Sequence, residues 1–245
     1  MVAEDVLPHL RGLGFSDADA ATLADHFLDA ERRGKRGHGL TRVEWLGTLP
    51  DLRPTAKPRL VSARPGMRVW DGNGAVGYLT LAAICDAVIA HPPPGATLVI
   101  ARRCFPTGVL GYWVRRLAEA GLVALLTATS PRRLPHPEGT EPLVGTIPLA
   151  IGIPSSDGQP LVSDVSMAKA THGDVLAGLA EPEDVVPFGG AQAHKAFALA
   201  VGLSLAAEAL AADERAALLV VAKPEGDPVP GLRALAGGLR LPGDR

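Results

Sequence analysis

Apolar residues recur along this chain in two spacings, one typical of helices and one typical of buried strands. The helical spacing covers residues 3–13, 17–30, 43–49, 78–90, 112–120, 167–179 and 196–212. Short continuous apolar runs, which predict strands, cover residues 67–71, 96–101, 122–128, 149–154, 160–166 and 218–222. Because strands and helices alternate through the middle of the chain, the pattern predicts the α/β class.

The two ends of the chain differ from its middle. Residues 1–65 are mainly helical in pattern, and the tail 223–245 is rich in Gly and Pro. No change of composition is sharp enough to divide the chain, so we expect one domain over residues 1–245 with its α/β core at about 66–222. The run 218–222 predicts the last strand, for which an edge position in the sheet is one option.

Composition and charge argue against several kinds of protein. Of 245 residues, 47% are hydrophobic and 20% are charged, which is typical of a globular protein that buries a sizeable core. The net charge is −2 and no Lys/Arg cluster lies among aromatic residues, so we expect no nucleic-acid partner. Two cysteines are too few for a disulfide framework or a thiolate site, and the histidines lack ligand spacing, so we expect no metal.

The first residues contain neither the basic nor the apolar segment of a signal peptide. No uninterrupted apolar run approaches the roughly 18–20 residues that span a bilayer. We therefore expect a cytoplasmic protein without a membrane partner.

The turn at residues 102–111 lies between a predicted strand and a predicted helix, where α/β proteins usually place their chemistry. It contains Cys104 and two glycines but no carboxylate and no histidine. A thiol serves as an acid or nucleophile only where its pKa is shifted. The other cysteine, Cys85, lies in an apolar helical pattern and is expected in the core.

His38 and Arg42 stand four residues apart, so on a helix they share a face. Such a pair can hold a carboxylate, with the arginine supplying a bidentate fork. The alternative is structural, with Arg42 on the surface and His38 capping a helix. The two residues alone leave both interpretations open.

The glycines of residues 72–77 match the G-x-G-x-x-G dinucleotide pattern between a strand and a helix. The acidic residue that this pattern requires after the next strand is absent, and Asp86 falls inside the predicted helix. The opening Asp-Gly-Asn-Gly is equally typical of a tight turn, so the match does not by itself predict a nucleotide site.

Several stretches, in order along the chain, carry a more specific signal. They are GHGLTR at 37–42 (like S-H-G-x-x-R), DGNGAVG at 71–77 (like D-x-x-x-G-x-G), GVLGYW at 108–113, TSP at 129–131, GTIPLA at 145–150 (like G-T-N-P-x-A), DVS at 164–166 (like D-M-A), GGAQAHKA at 189–196 (like G-G-x-x-x-x-K-G) and LPGD at 241–244. Together they resemble the type-2 malate/L-lactate dehydrogenase family of NAD(P)-dependent oxidoreductases, which includes ureidoglycolate, sulfolactate and cyclic-imine-acid enzymes.

The resemblance implies an α/β fold with a mixed sheet and intimately packed lobes that binds NAD or NADP without a Rossmann domain. It implies a homodimer and places a substrate carboxylate at His38 and Arg42. It implies cofactor contacts at Ser130, Asp164, Val165, Ser166, His194, Lys195 and Ala196.

The chain departs from the family pattern at its centre. Without gaps in the alignment, Pro106 takes the place of the family's catalytic histidine, and a proline donates no proton. Ile147 replaces the Asn of G-T-N-P, and Gly37 replaces the Ser of S-H-G. The segment between Asp164 and Gly189 is short, which removes a loop expected to close over the nucleotide, and the chain is shorter than a typical member.

Three functional hypotheses follow. The first is an NAD(P)H-dependent reductase of an imine or 2-oxo-acid-like carboxylate. An iminium substrate is already protonated and would need no acid from the missing histidine. For other substrates, His38 or Cys104 would supply the proton. The second is a scaffold that performs a non-redox reaction on a carboxylate, with His38, Lys195 and Cys104 as the reactive groups. The third is a catalytically inactive binding paralogue.

Overall fold

The computed structural model describes residues 1–244, and a mixed sheet of seven strands forms its centre. Numbered along the chain and named in spatial order, the strands are β1 (Arg59–Arg64), β2 (Met67–Asp71), β3 (Thr97–Arg102), β9 (Ala217–Ala222), β4 (Val123–Ala128), β7 (Pro148–Ile153) and β8 (Leu161–Ser166). β2 and β3 pair in parallel, and the other neighbouring strands pair antiparallel. A separate ribbon pairs β5 (Leu134–Pro135) with β6 (Pro142–Val144). The expected mixed α/β architecture is confirmed.

Helices surround the sheet. They are α1 (Val6–Gly12), α2 (Asp17–Arg32), α3 (Leu40–Leu46), α4 (Gly77–Ala90), α5 (Leu110–Glu119), α6 (His172–Leu176), α7 (Ala193–Ala211) and α8 (Val229–Ala236). Short 3₁₀ turns lie at Ala3–Asp5, Arg36–His38, Pro182–Asp184 and Gly190–Gln192. Ser16 caps α2 as predicted, since its side chain accepts the Asp19 amide at 3.2 Å.

The sheet carries helices on both faces, and β3 shows how they are divided. Val99 and Ala101 lie in the main core with α4 and α5, whereas Ile100 packs with Ala207 and Ala211 of α7. Because successive strand residues point to opposite faces, α4 and α5 cover one face and α7 covers the other.

β9 lies in the middle of the sheet, so the option of an edge position is wrong. It pairs antiparallel with β3 on one side and with β4 on the other. The strand that comes last in the chain therefore fills the gap between two strands that precede it by about a hundred residues.

The predicted helix over residues 167–179 is wrong for most of its length. Backbone hydrogen bonds with Thr146 and Val186 hold residues 167–169 extended after β8. The short helix α6 begins only beyond Thr171, whose side chain caps it. Pairing with distant backbone groups thus overrides the local helical spacing.

The pattern also misses elements at residues 59–64, 132–144 and 229–236. β1 is exposed along most of its length and forms because β2 offers a free edge. The Pro- and His-rich loop contributes the ribbon of β5 and β6, and the Gly- and Pro-rich tail contains α8.

Helix α7 is apolar on most sides. With the turn before it, the segment Gly190–Ala211 is long and apolar enough to cross a bilayer by length and composition alone, and 22% of its most apolar window is buried. His194, Lys195 and Glu208 interrupt it, so it is not the uninterrupted run that the sequence analysis sought. A single helix of this kind is weak evidence for a membrane span.

Candidate functional site

The ends of three strands meet at one edge of the sheet. β3, β4 and β8 run in the same direction. The reason is that β9 lies between β3 and β4, and β7 between β4 and β8, each antiparallel to both of its neighbours. The residues at or after their carboxyl ends, 105–110, 129–131 and 164–166, therefore approach one another. All but Val165 line a cavity of about 300 Å³, to which the turn at 34–38, α3 and α6 also contribute.

Arg42 lies in this cavity with a buried guanidinium. Its side chain is 8% exposed, its Nε donates to the Gly37 carbonyl at 3.0 Å, and its guanidinium carbon lies 4.5 Å from the centre of the Trp45 ring. Within residues 1–244, no carboxylate lies within 4.0 Å of an Arg42 nitrogen. The alternative of a surface arginine is therefore wrong.

His38 lies beside Arg42 in the same cavity, but the two residues do not share one helix. His38 ends the 3₁₀ turn Arg36–His38, and Arg42 lies in the first turn of α3 after a break at Gly39. Burial, and then the charge of Arg42, lower the pKa of His38 to about 4, although Asp174 opposes this shift. His38 is therefore neutral at pH 7.

Helix α6 brings a second histidine, His172, to the cavity. A close contact between Gly37 and Gly173 permits this, because a Cβ on either glycine would collide with the backbone of the other segment. Burial, Arg133 and Arg42 lower the pKa of His172. The sequence gave no signal that His172 lies in the cavity, because it is more than a hundred residues from His38 and Arg42 along the chain.

The turn after β3 places Pro106 in the cavity wall and Cys104 outside it. Cys104 is fully buried, its Sγ lies 3.8 Å from the Gly77 carbonyl, and burial raises the pKa of its thiol to about 12. A buried thiol of this pKa is a poor acid and a poor nucleophile. The geometry does not favour Cys104 as the substitute for the missing histidine.

The predicted cofactor residues divide into two groups. Ser130, Asp164 and Ser166 line the cavity. Asp164 Oδ2 accepts the Gly111 amide at 3.0 Å, and burial raises the pKa of this carboxyl. Val165 is 43% exposed and lies outside the cavity.

The other group, His194, Lys195 and Ala196, starts α7. Within the described part of the chain, none of the three lines this cavity or its two neighbours. The cofactor role of these three residues stays a prediction, and the structure does not bring them together with Ser130.

A second cavity of about 310 Å³ shares Phe105, Ser130 and Pro131 with the first. Arg132 and Arg215 lie in its wall together with Glu208 and Glu214, and Arg215 also pairs with Asp51 at 3.3 Å. Hydroxyl and carboxylate oxygens in the first cavity suit the hydroxyl and amide groups of a nicotinamide nucleoside, and arginines in the second suit phosphates. The donor set therefore fits a dinucleotide that extends across both.

The glycine pattern at 72–77 forms a tight turn. Asp71 Oδ1 accepts the Asn73 amide at 2.7 Å, and Asn73 has a left-handed φ of 52°. None of residues 72–77 lines the 300 Å³ cavity. The structure thus supports the turn interpretation of this motif.

Comparison with known proteins gives one family. A model of the malate/L-lactate dehydrogenase family matches residues 4–195. The chain is 30% identical over 172 residues to a Δ1-pyrroline-2-carboxylate/Δ1-piperideine-2-carboxylate reductase from Pseudomonas aeruginosa, with 68% of this chain and 51% of the relative covered. The same identity, length and shares apply to a (2R)-3-sulfolactate dehydrogenase (NADP⁺) from Chromohalobacter salexigens. The chain spans about half the length of these relatives.

A solved structure gives the same answer for the fold. Δ1-Piperideine-2-carboxylate reductase from Pseudomonas syringae superposes with a TM-score of 0.85 over 99% of this chain and 89% of that one, at 24% identity. At 24% identity, this superposition shows that the two proteins share a fold.

Proposed function

Because this chain belongs to the malate/L-lactate dehydrogenase family, we propose that it is an NAD(P)H-dependent reductase of a small carboxylate that carries an imine or a 2-oxo group. The family match over residues 4–195 and the similarity to the pyrroline-carboxylate reductase confirm the family that the collinear motifs predicted. The substrate class and the activity are our proposal.

The buried guanidinium of Arg42 in the cavity is the observation that carries the proposal. A buried cation without a close counter-charge is costly. Among residues 1–244 no carboxylate lies within 4.0 Å of an Arg42 nitrogen, and burial lowers the Arg42 pKa, a shift that the charge of Asp174 only partly opposes. Arg42 lines a cavity of about 300 Å³, so a substrate carboxylate is the natural partner of its guanidinium. Trp45 stacks on the guanidinium and orients it, and His38 offers a neutral nitrogen beside it.

NADH or NADPH, when bound, supplies a hydride. Ser130, Asp164 and Ser166 would hold its nicotinamide half, and Arg132 and Arg215 its phosphates. Arg42 fixes the carboxylate and thereby orients the adjacent C=N or C=O carbon within the cavity. Such positioning contributes much of the rate in reactions of two bound molecules.

Two further features belong to this proposal. The exposed stripe of α7 is apolar and uncharged, and Leu199, Leu205 and Leu210 on it are 51%, 57% and 48% exposed. An apolar surface of this kind is typical of an interface, so we propose that α7 lies in a homodimer contact. We place the protein in the cytoplasm, without a nucleic-acid or membrane partner.

A binding protein without turnover is the second candidate, and Pro106 favours it because the turn after β3 offers no proton donor. Loss of redox activity with retained carboxylate binding would select this candidate. A non-redox reaction has less support, since Lys195 and Cys104 lie outside the cavity.

Oxamate, a 2-oxo-acid mimic that hydride does not reduce, tests the role of Arg42. We expect NADH or NADPH to raise the Tm of the protein and oxamate to raise it further, since a ligand of the native state stabilises it. Arg42→Gln removes a charge-assisted contact and should weaken oxamate binding by at least about tenfold.

Arg36→Gln is the matched control, because Arg36 is an exposed arginine of the adjacent turn that does not line the cavity. Thermal shift and calorimetry measure both variants. Equal oxamate affinity in Arg42→Gln and the native protein would reject the carboxylate site. A Tm that neither cofactor changes would reject the redox proposal.

A further inference from the structure

Reduction of a ketone requires a proton for the new hydroxyl oxygen, and Pro106 supplies none. Three other hydroxyls of the cavity wall are already committed, and those of Thr107, Ser130 and Thr146 are aliphatic alcohols, which are weaker acids than a phenol. Thr129 donates to the Glu214 carbonyl at 2.7 Å. Ser166 donates to the Thr146 carbonyl at 3.2 Å, and Thr171 donates to Asp174 at 2.8 Å. Apart from the arginines, which do not release a proton, and the exposed Lys35, three titratable side chains of the cavity wall carry an uncommitted N–H or O–H: His38, Tyr78 and His172.

Tyr78 combines burial with a free hydroxyl. The side chain is 1% exposed and lines the cavity, and its hydroxyl has no hydrogen-bond partner among residues 1–244. The hydroxyl oxygen is not one of the fully buried side-chain atoms that lack a partner, so it is accessible from the cavity and free to donate to a bound ligand.

Tyr78 also packs against the turn that contains Pro106. A Cβ on Gly77 would lie 2.6 Å from the Pro106 carbonyl oxygen. A Cβ on Gly108 would collide with the Tyr78 ring. The start of α4 therefore packs against this turn at Pro106, and the Tyr78 ring packs against it at Gly108. In this chain a tyrosine on α4 adjoins the position where the family pattern has its histidine.

The three candidate groups differ in protonation. Burial, partly opposed by the charge of Arg42, raises the pKa of Tyr78 to about 12, so its phenol holds a proton throughout the physiological range. The pKa of His38 is about 4, and that of His172 is lowered, so both are neutral at pH 7. A neutral imidazole is a far weaker acid than its cation.

We propose that Tyr78 is the proton donor of this site. As the carbonyl carbon accepts the hydride, the electron pair of its C=O π bond moves to the oxygen, which takes the proton from the Tyr78 hydroxyl. The products are a 2-hydroxy acid, NAD(P)⁺ and a tyrosinate, and water then returns a proton to the tyrosinate. An iminium substrate, already protonated on nitrogen, needs no such transfer. This inference rests on the proposed reductase function.

The chain contains two tyrosines, which makes a direct test simple. Tyr112 donates to Asp25 at 2.6 Å and does not line the cavity, so it is an internal reference. In protein labelled with ¹³C at the tyrosine Cζ, oxamate added with NADH or NADPH should shift the Tyr78 signal and leave the Tyr112 signal in place. Tyr78→Phe and Tyr112→Phe assign the two signals.

Kinetics provide the second test, because Tyr78→Phe keeps the ring and removes only the unpartnered oxygen. We expect its Tm to equal or exceed that of the native protein, and its oxamate affinity to fall by no more than about tenfold, the loss of one neutral hydrogen bond. Its kcat for a 2-oxo acid such as pyruvate should fall by about 10²–10⁴-fold. Its kcat for a cyclic iminium acid such as Δ1-piperideine-2-carboxylate should fall by less than about tenfold.

The outcomes separate this inference from the proposed function. If oxamate binds through Arg42 but the Tyr78 signal does not move, Tyr78 is not the donor and the reductase proposal stands. If Tyr78→Phe keeps its kcat for 2-oxo acids while His172→Gln or His38→Gln loses it, that histidine is the donor. If oxamate binds neither alone nor with cofactor, both proposals are rejected.

Discussion

His26, a fully buried residue of α2, is held as a neutral histidine. Its Nε2 accepts the Val109 amide at 3.1 Å, and its ring stacks on Trp113 with centres 5.0 Å apart. Burial, with smaller contributions from His38 and Arg115, lowers the pKa of His26 to about 3. A proton would displace the Val109 hydrogen bond and add a charge to an aromatic core, so the native state resists protonation.

This predicts loss of stability in mild acid. The unfolded chain takes up a proton on His26 near pH 6.5 but the native state only near pH 3, so stability falls as pH drops between these values. Between pH 7 and pH 5 the free energy of unfolding should fall by about 2 kcal/mol from this residue. Urea titrations at both pH values measure it.

His26→Gln is the comparison, since an amide oxygen can still accept the Val109 proton but does not titrate. The variant should lose about 2 kcal/mol less than the native protein over the same pH interval. An identical loss in both would show that another group causes the acid sensitivity.

Ile147 illustrates a backbone constraint at the same scale. It is fully buried with φ of 29°, in the positive range that a β-branched side chain rarely adopts. The family pattern has Asn there, a residue that tolerates positive φ. The structure thus keeps the backbone that asparagine suits while the side chain has become apolar, and it packs there with Leu134 and Met167.

At the scale of elements, the docking of α6 explains two departures from the family pattern together. The position of the Ser in S-H-G is Gly37, and the segment after β8 is short. In the structure, α6 packs where a side chain at 37 would extend, with Asp174 Oδ1 2.6 Å and the Gly173 carbonyl carbon 2.6 Å from a Cβ built there. The short segment after β8 brings α6 against position 37, and this packing requires a glycine there.

Gly37→Ala should displace α6 and disturb the cavity. An added methyl in a tight backbone contact costs roughly 1–3 kcal/mol, so Tm should fall by several degrees. Gly12→Ala is the control, because nothing lies within 4 Å of a Cβ at that helix position. Calorimetry of both variants measures the difference, and a Gly37→Ala protein as stable as Gly12→Ala would contradict the tight packing of α6.

At the scale of the whole molecule, α7 covers one sheet face with one side and leaves its other side in solvent. The covering side consists mainly of alanines such as Ala200, Ala207 and Ala211, which let the helix approach the sheet. The exposed side carries leucines and no charge over two turns or more. Burial of that side in a dimer would remove a large apolar surface from water.

If α7 forms the proposed dimer contact, charge on its exposed side should weaken the dimer. Leu199→Glu and Leu205→Glu would bury unpaired carboxylates in the contact and raise the dimer Kd by at least about tenfold each. Analytical ultracentrifugation measures the association state. Leu235→Glu on α8, an 87% exposed leucine outside α7, should leave it unchanged. A native protein that is monomeric at high micromolar concentration would reject the proposed contact.

Local sequence determined those elements whose stability depends on neighbours along the chain. The spacing of apolar residues was sufficient for β2, α4, β3, α5 and β4, and the capping residue Ser16 was sufficient for the start of α2. Collinear motifs predicted the family, and the spacing of His38 and Arg42 led to the cavity even though the two residues lie in different elements.

Features that depend on contacts between distant residues could be seen only in the folded chain. β9 is central because β3 and β4 leave a gap for it, and residues 167–169 are extended because remote carbonyl and amide groups pair with them. His172 lies in the same cavity as Arg42 because Gly37 and Gly173 pack directly against each other. Within residues 1–244, the burial that leaves Arg42 without a carboxylate in the 4.0 Å range and Tyr78 without a hydrogen-bond partner is likewise a property of the folded chain. Pairing, burial and the pKa values that follow from burial are non-local, so no local pattern specifies them.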